Sequence, residues 1–282
     1  MKRLGIQTLG VFRDLHADLW GTLATLRDGG VSYLEVLTDW GADPAMLAKY
    51  RAISGGIESG WPRTAIRERL SRLRAMGLAL EGMFVSLDRI ESEVDELAAF
   101  CVELGIAYVV FSPPAVGDDI VACRSVVEKI LSVGRVLKAA GVEMVLHDHD
   151  TDFVVVHDGS GAGKTLYERI LEGCEEIGLG AELDVGWATY AGVDVADLIR
   201  RLGHRVRILH VKDLAPGFAA MERERIYVPA GQGACDYPAA FAAADRYARP
   251  DYRIVLDQDP SDRDGVADSL ASAAYLARWT DR

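Results

Sequence analysis

Thiols are scarce in this chain. Cys101, Cys123, Cys174 and Cys235 are the only cysteines in 282 residues, and they lie 22, 51 and 61 positions apart. That spacing excludes a zinc knuckle or a Cys-x-x-Cys redox pair and predicts buried core thiols. No apolar run reaches the roughly 18 residues that a membrane span needs. The basic start, MKRLGIQTLG, is not followed by the apolar core of a signal peptide, so a cytoplasmic protein is expected. Positive charge is the minority sign: 31 Lys and Arg against 43 Asp and Glu leave a net −12. Such a surface repels phosphate backbones and anionic lipid heads, so neither nucleic acid nor membrane is expected as a partner. Linkers and low-complexity segments are missing as well, which leaves no place to divide the chain.

Half of the residues are apolar and 26% are charged, the balance of a packed globular protein. Short β-rich runs alternate with helix-like stretches from end to end. Strands are predicted near 4–8, 32–37, 78–84, 107–112, 142–147, 181–185, 206–211 and 253–257. The intervening segments carry apolar residues at helical spacing, as in Val94, Leu97, Ala98 and Cys101. Eight such units in this length predict an α/β fold, a single (β/α)8 barrel domain over residues 1–282. A doubly wound sheet is the alternative, but no phosphate loop follows Gly5-Ile6-Gln7-Thr8. Two connections exceed what a barrel requires, 38–64 and 213–235. The first is expected to contain a short helix, and both belong at the C-terminal mouth, where such barrels carry their active sites.

Polar residues cluster where the later strands should end. Side chains alternate faces with period two along a strand. If Val145 points inward, so do His147 and His149. Glu182 then accompanies Asp184, Ile208 accompanies His210 and Lys212, and Val255 accompanies Asp257 and Asp259. Four adjacent strands thereby aim His147, Asp184, His210 and Asp257 at one point. Imidazole and carboxylate together suit a divalent metal such as Mn²⁺, Zn²⁺, Fe²⁺ or Co²⁺ better than Ca²⁺. Mn²⁺ heads that list, and Mg²⁺ is a further candidate.

Several segments resemble one family: Tyr33-Leu34-Glu35-Val36, His147-Asp148-His149-Asp150, Leu183-Asp184-Val185-Gly186-Trp187, His210-Val211-Lys212-Asp213, Gly231-Gln232-Gly233 with Asp236, and Val255-Leu256-Asp257-Gln258-Asp259. Over essentially its whole length the chain resembles the sugar phosphate isomerases/epimerases, xylose-isomerase-like barrels that include tagatose-type 3-epimerases and inosose dehydratase. The resemblance implies a divalent metal held by Glu, Asp, His and Glu from strands 5 to 8, and dimers or tetramers of the chain. Asp184 and His210 match the middle two ligands. His147 stands where the epimerases place Glu, and Asp257 replaces the other Glu, shortening its reach by one methylene. Those two glutamates also move the proton in the epimerases, so this chain departs from that pattern.

The chemistry implied is loss of a proton next to a metal-bound carbonyl in a sugar, cyclitol or related polyhydroxy compound. Isomerisation, epimerisation and dehydration or another lyase reaction all pass through that step. His149, Glu35 and His147 are the candidate bases. Lys212 is placed to stabilise the oxyanion or orient the substrate, with a rim ion pair to Asp213 as the alternative. Glu35 has the alternative of pairing with a cationic neighbour. Trp40, Trp187, Tyr190 and Phe111 are expected to offer stacking surface at the mouth, or else to pack in the core or rim.

Two motifs fail. Gly159-Ser160-Gly161-Ala162-Gly163-Lys164-Thr165 would need glycine at Asp158 to be a nucleotide phosphate loop, and reads instead as an active-site loop opening the next helix. Gly231-Gln232-Gly233 lacks the third glycine of a dinucleotide fingerprint. The endonuclease branch of these barrels needs more His and Glu ligands than the chain supplies. Outside enzymes altogether, a barrel that binds a sugar or a partner subunit through a degenerate metal site is the second expectation.

Overall fold

A sheet closes only when its first strand finds two partners. In the computed structural model, which describes residues 2–280 except 41–47, 49, 50, 53–55, 58, 160–162 and 262, Leu4–Gln7 (β1) runs parallel to both Val31–Leu37 (β2) and Arg253–Leu256 (β8). Ala79–Phe84 (β3), Tyr108–Phe111 (β4), Glu143–His147 (β5), Gly180–Asp184 (β6) and Val206–Val211 (β7) complete a closed parallel barrel. All eight expected strands are present, with ends shifted by no more than one residue. Closure rules out the doubly wound sheet.

Helices cover the outside, and side-chain caps set where several begin. Asp18 accepts from the Gly21 N–H at 3.0 Å, Asp119 from Val121 at 2.8 Å, and Asp236 from Ala239 at 3.0 Å. In the helix Leu87–Leu104, Leu97, Ala98 and Cys101 are buried with Val94 half-buried beside them, so the apolar stripe faces the barrel. All four cysteines are buried and free.

Tyr33, Tyr108, Val110, Val145, Ile208 and Val255 fill the barrel interior. The two tyrosine rings need room that glycine on a neighbouring strand provides. A Cβ at Gly5 would lie 2.2 Å from the Tyr33 ring, and one at Gly82 would lie 2.5 Å from that of Tyr108. This plug fills the lower barrel, and the inward polar positions of β5–β8 lie above it, toward the C-terminal mouth.

The long connection 213–235 is organised by one buried carboxylate. Asp213 accepts from the backbone N–H groups of Leu214 (2.9 Å), Gly231 (2.8 Å), Gly233 (2.9 Å) and Cys235 (3.1 Å). A Cβ at Gly233 would lie 2.2 Å from Asp213 Oδ1. Gly231-Gln232-Gly233 is therefore a cradle for this chain's own carboxylate, and Asp213 is not the partner of Lys212. In the other glycine run, Lys164 Nζ bonds Glu172 at 2.7 Å. Thr165 opens the helix Leu166–Gly173 in a reciprocal cap with Glu168. Residues 160–162 of that run lie outside the described residues; in the connection 38–64, where a short helix is expected, Ala48, Arg51 and Ala52 are helical and 41–47, 49, 50, 53–55 and 58 lie outside the described residues. No helix among the described residues is long and apolar enough to cross a membrane.

Candidate active site at the C-terminal mouth

The lowest polar layer rests on the tyrosine plug. The Tyr108 hydroxyl donates to Glu35 Oε2 at 3.1 Å. Across the barrel, the β5–β6 register sets His147 opposite Glu182, and His147 Nδ1 lies 3.0 Å from Glu182 Oε1. Glu35 and Glu182 are both fully buried. Burial, then the charge of Glu35, pushes the Glu182 carboxyl well above the usual carboxylate range. His210 Nε2 faces this pair, 3.4 Å from Glu35 Oε1 and 3.6 Å from Glu182 Oε1.

The upper layer lies on the other edge of the same imidazole. His210 Nδ1 is 3.6 Å from Asp184 Oδ2 and 3.4 Å from Asp257 Oδ2. Lys212, two residues further along the chain, places Nζ 2.6 Å from Asp257 Oδ2, 2.8 Å from Asp259 Oδ2 and 3.2 Å from Asp184 Oδ2. The expected rim pair with Asp213 is thus replaced by a buried cage of three carboxylates. Asp184 also accepts from the Trp187 N–H at 2.8 Å, and its own N–H donates to Asp148 Oδ1 at 2.9 Å. Burial works against ionisation of Asp257, yet Lys212 and His210 hold it well below the usual range. Burial alone would lower His210, but Glu182 and Asp257 raise it well above the ordinary histidine value.

Do these residues fit a metal? Both ring nitrogens of His210 and Asp184 Oδ2 are buried without a hydrogen-bond partner. Gaps of 3.4 and 3.6 Å are too long for good hydrogen bonds. They do match the roughly 3.3–3.6 Å edge of a tetrahedron with metal–ligand bonds of about 2.0–2.2 Å. Asp184, His210 and Asp257 form one group of donor atoms that all lie within 4.8 Å of one another, and His147, Glu182 and His210 form another. Three of the four expected ligands therefore converge. His147 does not join them, because its ring turns to Glu182 in the layer below.

Above the acids opens a cavity of about 600 Å³. His147, His149, His210, Lys212, Asp257 and Asp259 line one side, and Leu9, Leu37, Phe84, Leu87, Pro113 and Pro114 contribute to the other. Burial and the nearby Lys212 hold the His149 imidazole down to about 4, so it is neutral at pH 7. Glu35 is not among the lining residues. It lies beneath His210, which removes it from reach of a substrate and makes it a partner of His210 and Tyr108 instead.

None of the four expected aromatics lines this cavity. Phe111 follows the inward Val110, so it points outward into the layer between barrel and helices. Trp40 is fully buried against Phe100, with Nε1 donating to Glu93 at 2.7 Å. Trp187 backs Lys212, its ring 4.5 Å from Nζ, and Tyr190 packs between Trp187 and Phe218. The aromatic that does reach the cavity is Phe84, edge-on to His147 at 5.4 Å. Sequence reasoning missed it, although period two from Gly82 on β3 could have found it. Alternation also places Glu182 and Asp259 on the inward face but does not identify their partners, and it says nothing of Asp148, which holds the Asp184 N–H.

The model of the family described as the xylose isomerase-like TIM barrel matches residues 45–279. No curated protein sequence matches the chain. Among solved structures, a sugar phosphate isomerase/epimerase from Parabacteroides distasonis ATCC 8503 is similar at 19% identity and a TM-score of 0.74, over 98% of this chain and 93% of that one. The IolI protein with a zinc atom is similar at 16% identity and 0.68, over 99% and 97%. The probable 3-DHS dehydratase AsbF from Bacillus anthracis is similar at 14% identity and 0.70, over 98% and 99%. At such identities the likeness carries the fold.

Proposed function

The chain belongs to the xylose isomerase-like TIM barrel family, and from that premise we propose a divalent-metal-dependent isomerase or epimerase, or a dehydratase of the same chemistry, acting on a sugar, cyclitol or related polyhydroxy carbonyl compound. The observation that carries this reading is the triangle of Asp184 Oδ2, His210 Nδ1 and Asp257 Oδ2 beside an open cavity. These three residues would hold the ion, Mn²⁺ first and Zn²⁺, Fe²⁺, Co²⁺ or Mg²⁺ as substitutes. A bound divalent cation supplies polarisation of the substrate carbonyl and of the hydroxyl beside it. His149, neutral and on the cavity wall, is the group placed to take the α-proton, with His147 next to it at a ring-centroid distance of 5.0 Å. Lys212 presents its ammonium to the same space and orients an oxygen of the substrate. Glu35 and Glu182 act from below by holding the rings of His210 and His147 in place.

A second reading has one observation in its favour. The Lys212 ammonium already lies against Asp184 and Asp257, as it would in a barrel that binds a ligand without turning it over. Metal analysis of protein purified without chelator separates the two. About one transition metal per chain, lost in the Asp184→Asn/His210→Ala double variant, followed by solvent-proton exchange into keto-sugars or inososes, supports the enzyme. No metal after Mn²⁺ reconstitution supports the binding protein.

A further inference from the structure

Lys212 stands in a position that the proposed chemistry alone does not explain. Its Nζ reaches the same two oxygen atoms, Asp184 Oδ2 and Asp257 Oδ2, that face His210 Nδ1. It lies within ion-pair distance of Asp184 Oδ2 and Asp259 Oδ2, yet neither oxygen receives an aligned hydrogen bond. The ammonium thus sits at a compromise point among three carboxylates. Of those three, Asp259 alone stands outside the donor triangle. The stem runs closely over Gly186, where a Cβ would lie 3.0 Å from Lys212 Cβ and Cγ, so glycine at that position keeps its path free of a side chain. Trp187 offers a ring face 4.5 Å from Nζ as a second resting surface.

The geometry points to Lys212 as the site's own resident cation, competing with a divalent ion for Asp184 and Asp257 and withdrawing onto Asp259 when that ion is bound. This rests on the reading of Asp184, His210 and Asp257 as the cation site. It has two consequences for the chain. Metal affinity is held down by an ammonium that belongs to the protein. Lys212 also becomes available to a substrate oxygen only in the loaded site, because two of its three counter-charges are then engaged elsewhere. Ion loading and presentation of the ammonium are one event.

The test is Mn²⁺ titration calorimetry on wild type, Lys212→Met and Arg223→Gln, with circular dichroism as the check on folding. Arg223 is the control cation: its guanidinium shares the Trp187 ring at 4.4 Å but pairs with Asp150 rather than with a residue of the triangle. Lys212→Met should bind Mn²⁺ at least about tenfold more tightly than wild type, and Arg223→Gln within roughly threefold of it. Equal or weaker binding by folded Lys212→Met overturns the inference while leaving the metal site standing. Mn²⁺ binding by none of the three proteins overturns both. Should Lys212→Met not fold, wild-type crystals grown with and without Mn²⁺ decide. Nζ should leave Asp184 and Asp257 and remain on Asp259 in the loaded form, and Nζ still on both overturns the inference.

Discussion

Charged groups gather at both ends of the barrel, and the two gatherings are built differently. At the N-terminal end, Arg3, Arg207, Arg249 and Arg253 meet Glu81, Glu143 and Asp251. Those side chains are 16–66% exposed, and each acid has at least one guanidinium. At the C-terminal end, Glu35, Glu182, Asp148, Asp184, Asp257 and Asp259 crowd around a single ammonium and three histidines, almost without solvent. The first network is balanced and wet, which is how charge contributes to stability at modest cost. The second is dry and sets six acids against one ammonium and three imidazoles, with burial pushing Glu182 toward its neutral form, an arrangement that folding alone does not favour. An excess of buried acid is a demand for a cation, and that is where the chemistry belongs.

Breaking the upper cluster should have the largest effect. Asp184→Asn removes a member of the donor triangle and should abolish both metal binding and turnover, measured by metal content and by solvent-proton exchange. If metal content stays at wild-type level, the triangle has been misassigned. One layer down, Glu182→Gln should fold normally yet weaken Mn²⁺ binding by about 10–100-fold, because it loosens the rings of His147 and His210 rather than removing a ligand. Unchanged affinity in that variant would reduce Glu182 to a packing role.

The lower cluster should answer in stability alone. Glu143 joins Arg207, Arg249 and Arg253 at 3.1, 2.8 and 3.4 Å. Glu143→Gln should cost about 1–3 kcal/mol in urea unfolding and leave Mn²⁺ affinity unchanged. Any loss of metal there would erase the contrast between the two ends. A pH experiment sharpens it from the other side. Burial raises the Asp152 carboxyl, under the mouth, to about 7. A carboxyl raised in the folded state favours folding below its unfolded value, and that advantage is lost as pH rises toward 7. Relative to wild type, Asp152→Asn should therefore become progressively more stable between about pH 4 and pH 7 and gain nothing further above. The smallest effect is expected at Arg3, half exposed over Glu81, where Arg3→Ala should change stability by at most about 1 kcal/mol.

The strands and their inward faces were readable from the chain because both follow from local rules. Apolar runs of strand length bounded by helical periods marked β1–β8, and period two placed Asp184, His210, Lys212 and Asp257 on one face. The same rule turns Phe111 outward beside the inward Val110 and carries Phe84 inward beyond Gly82. Trp40 lies past the end of its strand, where alternation no longer applies, and its burial against Phe100 depends on a helix about 60 residues later in the chain.

Depth and pairing were a different matter. Alternation tells which face a side chain takes, not how far up the barrel it sits or which neighbour it meets. Those depend on register between strands that are far apart in the chain. Register placed His147 level with Glu182 and so drew its ring away from the donor triangle. The Asp213 carboxylate is held by the N–H of the next residue, Leu214, and by three more that a loop about 20 residues long brings back, which left Lys212 to the three aspartates. The amino-acid sequence by itself determined the barrel and the set of residues at its mouth, because periodicity and chain order are local. Only the tertiary structure decided which acid meets which cation, because charge pairing inside a barrel depends on distances across it.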